Sequence, residues 1–143
     1  MLKKLTLAAI TATFSLGAFA QSPITVYKTP WCGCCEGWIT HLRENGFEPE
    51  VHDTQTINSI KEKVGLTRNL ASCHTAFIGD YVIEGHVPAR DIQRLLEEKP
   101  EAKGLAVPGM PMGSPGMEGP RSDRYAVLLF NEAGQTRVFA TYD

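Results

Sequence analysis

Ile24-Thr25-Val26-Tyr27-Lys28-Thr29-Pro30-Trp31-Cys32-Gly33-Cys34-Cys35-Glu36-Gly37-Trp38-Ile39-Thr40-His41-Leu42 is the stretch that decides the fold. Its first five residues are β-branched, aromatic or long, lie between Pro23 and Pro30, and read as a strand. From Cys34 onward Cys35, Trp38, Ile39 and Leu42 recur at the three-and-four spacing of one helical face, and Asn45-Gly46 is a helix stop. A strand therefore runs into a helix through a turn that carries three of the four cysteines.

Outward from this unit, Phe47 to Asp53 reads as a second strand and Ile57 to Val64 as a short helix with Ile57, Ile60 and Val64 on one side. Ala76-Phe77-Ile78 and Tyr81-Val82-Ile83 flank Gly79-Asp80, a pair suited to a two-residue hairpin. Pro88 opens a further helix that buries Ile92, Leu95 and Leu96 and stops at Pro100. Gly104 to Pro120 holds five glycines, four prolines and three methionines, a composition that predicts a long loop. Tyr125 to Phe130 and Arg137 to Tyr142 close the chain as a hairpin across Asn131-Glu132-Ala133-Gly134. The order β-α-β-α-β-β-α is that of a thioredoxin-like α/β fold: a mixed sheet with flanking helices, here extended by the Met/Gly/Pro-rich loop and a C-terminal β-hairpin.

The whole sequence has 143 residues, 43% hydrophobic and 21% charged, inside the globular range. Lys3 and Lys4, an apolar run from Leu5 to Ala18 and the ending Ala18-Phe19-Ala20 form a secretory signal, with cleavage expected after Ala20. The run is too short to cross a bilayer core of about 30 Å. Residues 21–143 are then one exported, periplasmic domain without a membrane span, large enough to bury a core without disulfides. Loss of Lys3 and Lys4 with the signal leaves the exported domain more acidic than the whole sequence, whose formal charge is −2. No basic run or patch remains to neutralise phosphates, which excludes a nucleic-acid partner.

Four cysteines in an exported protein are ordinarily two structural disulfides. Here Cys32, Cys34 and Cys35 crowd into four residues and only Cys73 is distant, so chemistry is the better reading. The turn resembles the Trp-Cys-Gly-Pro-Cys loop of thioredoxin, with Cys34 in the proline position. A helix N-terminus there favours thiolate over thiol, and a thiolate is both a nucleophile and a metal ligand. As a thiol–disulfide oxidoreductase, the chain would attack with Cys32 and resolve with Cys35. Metal is favoured because Cys73-His74-Thr75 stands where thioredoxins carry a shielding cis-proline, which brings a fourth sulfur to face the loop.

Adjacent helical cysteines point about 100° apart, which makes one tetrahedral zinc awkward for all three loop sulfurs. Soft Cu(I) accepts few ligands and shares bridging thiolates, so the expected site is a polynuclear one on Cys32, Cys34, Cys35 and Cys73. Met110, Met112 and Met117 all fall in the Gly/Pro-rich loop, and a lid of thioether ligands is expected from Met110 and Met117; the plain alternative is a flexible linker. His86 is a further candidate, because the turn after the hairpin lies on the same edge as the cysteine loop. His74 could also reach the metal, and both histidines have bland readings as strand-edge or loop residues. His41 and His52 are expected in solvent, and Trp31 and Trp38 as packing groups.

Trp31-Cys32-Gly33-Cys34-Cys35, Cys73-His74-Thr75-Ala76, Glu84-Gly85-His86-Val87-Pro88 and Gly104-Leu105-Ala106-Val107-Pro108-Gly109-Met110-Pro111 together resemble the CopG-type copper-resistance family. The resemblance covers nearly the whole exported domain. It implies a thioredoxin-like fold, copper held by the loop cysteines together with Cys73, a role in copper tolerance, and conversion between Cu(I) and Cu(II). A periplasmic copper carrier or an electron partner is the partner expected for that role.

Overall fold

The computed structural model describes residues 22–143, so the secretory signal expected over 1–20 lies outside the described residues. One mixed sheet of seven strands, in the order β2-β1-β3-β4-β5-β6-β7, forms the frame. β1 (Ser22–Lys28) pairs in parallel with β2 (Phe47–Asp53) along its whole length, and antiparallel with β3 (Thr75–Ile78) on its other side. The crossover between β1 and β2 is α1 (Gly33–Glu44). After β2 come α2 (Ile57–Lys63), a single 3-10 turn at Arg68–Leu70, and the hairpin of β3 with β4 (Tyr81–Glu84). α3 (Ala89–Glu98) leads to β5 (Gly104–Ala106), and β6 (Tyr125–Phe130) and β7 (Thr136–Tyr142) complete the sheet.

Helix α1 forms where the apolar spacing puts it. Cys35, Trp38, Ile39 and Leu42 are its buried face, and the last three pack in one cluster with Ile24, Val26, Ala76, Val87 and Ile92. Each large side chain so buried contributes about 1.5–3 kcal/mol. Alternate residues of the strands serve opposite faces: Ile83 and Leu105 join the large cluster, while Val82 and Ala106 join a smaller one with Leu70 and Phe130.

The expected loop from Gly104 to Pro120 begins instead with a strand. Gly104-Leu105-Ala106 runs parallel to β4 and antiparallel to β6, so the C-terminal hairpin extends the main sheet. Three residues are too few to show a period of two, and a glycine-rich setting hides them. Gly104 is what the pairing requires: a Cβ there would lie 1.7 Å from the carbonyl oxygen of Val82, its register partner.

His41 corrects a second expectation. It is half-buried, and its Nε2 accepts the N–H of Ala89 at 3.0 Å, occupying a donor at the start of α3 that no side-chain cap satisfies. Burial holds its pKa below the ordinary 6.5, a shift opposed by nearby Glu118 and Glu44.

Gly104→Ala is expected to cost about 3 kcal/mol or more, because backbone must move to admit the methyl; urea unfolding measures it, and a loss under about 1 kcal/mol would contradict the pairing. The depressed His41 pKa means that the unfolded chain takes up the proton first. Stability is therefore complete above pH 6.5 and falls as pH drops from there towards the folded value. Urea midpoints between pH 7 and pH 5 should fall, and fall less in His41→Gln, whose side-chain oxygen accepts the same N–H at any pH.

Candidate metal centre

One row of the sheet places the site. Tyr27 pairs with Thr75, Thr75 with Glu84, and Glu84 with Ala106. Given the strand directions, four segments adjoin this row at one end of the sheet: the cysteine loop after β1, Cys73-His74 before β3, Gly85-His86 after β4, and the methionine loop after β5.

The four cysteine sulfurs meet there, all within 4.8 Å of one another. Cys32 and Cys35 are joined as a disulfide, while Cys34 and Cys73 are free thiols. Cys34 Sγ lies 3.5 Å from Cys32 Sγ and 3.9 Å from Cys73 Sγ, and Cys35 Sγ lies 3.5 Å from Cys73 Sγ. The distant cysteine therefore does face its trio. Met110 brings its Sδ to 3.9 Å from Cys34 Sγ. His86 Nε2 is 3.0 Å, and His74 Nδ1 3.3 Å, from Cys73 Sγ, and these three residues form a second group with metal-ligand spacing. Met117 is placed by its backbone, whose N–H bonds Ser114 O and whose carbonyl accepts from Gly113.

The tryptophans divide. Trp38 is fully buried, donates Nε1–H to Val87 O and packs its ring 4.2 Å from that of His74. Trp31 is 73% exposed rather than the packing group expected, and it stands beside the cysteines in solvent as exposed Met110 does.

The methionine loop is docked rather than a free linker. Ser72 Oγ–H donates to Gly109 O, and Gly109 N–H donates to Ala71 O. His86 Nδ1 donates to Pro115 O at 2.7 Å. Further along, the loop touches α1 backbone to backbone: a Cβ on Gly37 would lie 2.8 Å from Gly116 Cα, and one on Gly116 2.5 Å from Cys34 O. Only a pair of glycines permits that approach, within a turn of the cysteines.

Beneath the sulfurs lies a buried network that no sequence pattern announces. Glu84, fully buried, forms an ion pair with Lys61 of α2; its carboxylate also accepts Ser72 N–H at 2.6 Å and Thr75 Oγ1–H at 2.6 Å. Lys61 Nζ donates to Thr75 Oγ1 as well, at 2.8 Å. These bonds fix the residue just before Cys73 to the strand that ends just before Gly85-His86. Burial pushes the Glu84 carboxyl up, opposed by Lys61 and the three bonds it accepts. On the far side of the loop, buried Lys28 pairs with Glu36 of α1 at 2.8 Å and Asp53 at 2.7 Å, tying the helix start to β1 and β2.

Electrostatics keep Cys73, His74 and His86 neutral. Burial, with Cys34 next to it, pushes the Cys73 thiol up to about 12, so it keeps its proton until a cation displaces it. Burial lowers His74 well below 6.5 and lowers His86, leaving both imidazoles neutral at pH 7. With Nδ1 donating to Pro115, His86 turns an acceptor nitrogen to Cys73. His74 Nε2 is buried without a hydrogen-bond partner. No side chain caps the N-terminus of α1, so its dipole acts on the cysteines directly. Sulfur, thioether and imidazole suit a soft cation. Cys32 and Cys35 can serve as thiolate ligands only once their disulfide is reduced.

A family model described as "Protein of unknown function, DUF411" matches residues 70–117, the segment that carries Cys73, His74, His86 and the methionine loop. Two solved structures are similar to the chain over most of its length. One, named "Copper resistance protein copG- Form 2", is 44% identical, has a TM-score of 0.82, and is matched over 86% of this chain and 99% of its own. The other, "Copper resistance protein copG- Form 1", is 44% identical with a TM-score of 0.81, over 85% and 98%. No curated protein matches the chain.

Lys61→Leu strands a buried carboxylate and should cost about 3–5 kcal/mol in urea unfolding, whereas Lys61→Leu with Glu84→Leu should recover some of that loss. A double-variant loss equal to the sum of the losses in Lys61→Leu and Glu84→Leu alone would show that the pair is not coupled.

Proposed function

The chain belongs to the CopG copper-resistance family, and on that premise we propose that it is a periplasmic copper-binding protein of copper resistance. In this reading several Cu(I) ions share the sulfurs of Cys32, Cys34, Cys35 and Cys73 as a thiolate-bridged polynuclear site, with His86, Met110 and Met117 at its margin. The observation that carries it is the convergence of four cysteine sulfurs, from two stretches far apart in sequence, within 4.8 Å of one another. Thiolates crowded this closely are near enough to bridge cations, and Cu(I) is the soft ion that accepts two or three bridging sulfurs. Export fits the leader-like first twenty residues, and among the described residues no helix is long and apolar enough to cross a membrane.

Conversion between Cu(I) and Cu(II) has an electron source inside this site. Two Cu(II) ions take one electron each from the reduced Cys32 and Cys35 pair, giving two Cu(I), the disulfide, and two protons released to solvent. A periplasmic electron donor would then return the pair to thiols, and a copper carrier would deliver or remove the ions.

A second reading has one observation in its favour. The Cys32–Cys35 bond at the start of a helix is also the resting state of a thiol–disulfide oxidoreductase, in which Cys32 is attacked and Cys35 is the leaving thiol.

Anaerobic titration of the fully reduced chain with Cu(I), followed by metal analysis, separates the two. More than one copper per chain is expected, falling to one or none in Cys73→Ser; a wild-type ratio of one or below rejects the shared site. The oxidoreductase reading expects metal-free turnover of a disulfide substrate, abolished in Cys32→Ser and kept in Cys73→Ser.

A further inference from the structure

The disulfide leaves an incomplete but ordered set of sulfur donors. Cys32 and Cys35, bonded to each other, offer no thiolate. Cys34 and Cys73 remain as free thiols on different segments, with their sulfurs 3.9 Å apart. Met110 Sδ lies the same 3.9 Å from Cys34 Sγ. Three ligands spread at 120° around a cation, with bonds like the ~2.3 Å of zinc–thiolate, would stand roughly 4.0 Å apart. Both gaps match that figure. The 3.0 Å between His86 Nε2 and Cys73 Sγ does not. It is a hydrogen-bond distance, and it makes His86 the acceptor of the Cys73 S–H while that thiol keeps its proton.

We propose that the disulfide-bonded chain holds a mononuclear Cu(I) site on Cys34 Sγ, Cys73 Sγ and Met110 Sδ, so that the Cys32–Cys35 bond sets how many copper ions the protein carries. This rests on the copper-binding reading above and adds to it a second, smaller occupancy belonging to the oxidised state. Two thiolates and a neutral thioether in three-coordinate array suit Cu(I); Zn²⁺ seeks a fourth donor and disfavours thioether. The site is also built rather than incidental. Met110 is carried by the loop that Gly109, Pro115 and Gly116 anchor to Ala71, His86 and α1, and Cys73 is held through Ser72 by Glu84. Binding forms two Cu–thiolate bonds and one Cu–thioether bond and releases the two thiol protons. No electron moves and the disulfide stays intact.

The experiment starts from the mildly oxidised chain, verified by intact mass to carry one disulfide and two alkylatable thiols. It is titrated anaerobically with Cu(I) against a chromophoric Cu(I) chelator, with the fully reduced chain in parallel. The oxidised chain is expected to take one copper with the disulfide retained in the intact mass. Cys34→Ser and Cys73→Ser should each weaken that ion at least 100-fold, and Met110→Leu, which keeps the side-chain volume, about tenfold. Thermal melts of each variant separate lost binding from lost folding, and Met110→Leu at an exposed position is the variant least able to disturb the fold. An oxidised chain that takes no copper, an ion insensitive to both cysteine changes, or Zn²⁺ held in preference to Cu(I) would each overturn the proposal. The reduced arm reports on the parent reading alone: one copper there with one copper in the oxidised chain rejects the shared site and leaves this one standing, and several there with none in the oxidised chain does the reverse.

Discussion

Strand register is the constraint on which the rest of this protein depends. Tyr27, Thr75, Glu84 and Ala106 stand side by side in four adjacent strands, and each is the last or next-to-last paired residue before its chain leaves the sheet, or the first as it enters. A slip of one residue in any strand would turn its buried side chains to the wrong face, so the hydrophobic pattern that fixes the core also fixes where the sulfurs emerge. Ile83 and Val82 illustrate the point: they serve opposite clusters, and exchanging them would disturb both. The donors are thus brought together by apolar burial elsewhere, and no attraction among the donors is needed to hold them near one another in the absence of metal.

Polar contacts then do what register cannot, which is to set position within the row. The Lys61–Glu84 pair is a poor source of net stability, since removing two charges from water offsets most of their attraction. What it supplies is direction. Its carboxylate accepts from Ser72 and Thr75 on either side of Cys73-His74, so that segment is held at both of its flanks. The methionine loop is held differently, by close backbone approach at Gly37 and Gly116 and by the His86–Pro115 bond. Its composition, rich in glycine and proline and unpromising as structure, is what makes such approach sterically open.

The periodic and local features of the fold and the site are legible in the sequence. Cys35, Trp38, Ile39 and Leu42 announce α1 because burial repeats along one helical face, and Gly85-His86 falls at the expected edge because a turn after a hairpin has few places to go. Pairings across long separations are not legible. Lys61 and Glu84 lie on different elements with no spacing rule between them, and His41 meets Ala89 across two helices. β5 escapes notice because three residues among glycines and prolines carry no period. The exposure of Trp31 depends on how the loop sits in space rather than on which residues it contains, whereas Cys32 and Cys35, spaced as in the thioredoxin loop, are the pair the oxidoreductase reading names.

The two chemistries of the site are coupled because they draw on the same atoms. Cys32 and Cys35 cannot be bonded to each other and serve a cation as thiolates at once, so on the proposed reading copper and oxidation compete for them. Such competition is reciprocal by necessity: if reduction of the disulfide raises the copper affinity by some factor, copper favours the reduced pair by that same factor. For this two-electron couple each tenfold of preference corresponds to about 30 mV in the potential of the pair. Bound copper would thus protect its own ligands against an oxidising compartment, while Cys34 and Cys73, outside the disulfide, stay free of that competition. The arrangement of one bonded pair beside one free pair therefore allows a sulfur site to respond to oxidation by degrees, losing some of its ligands while keeping others.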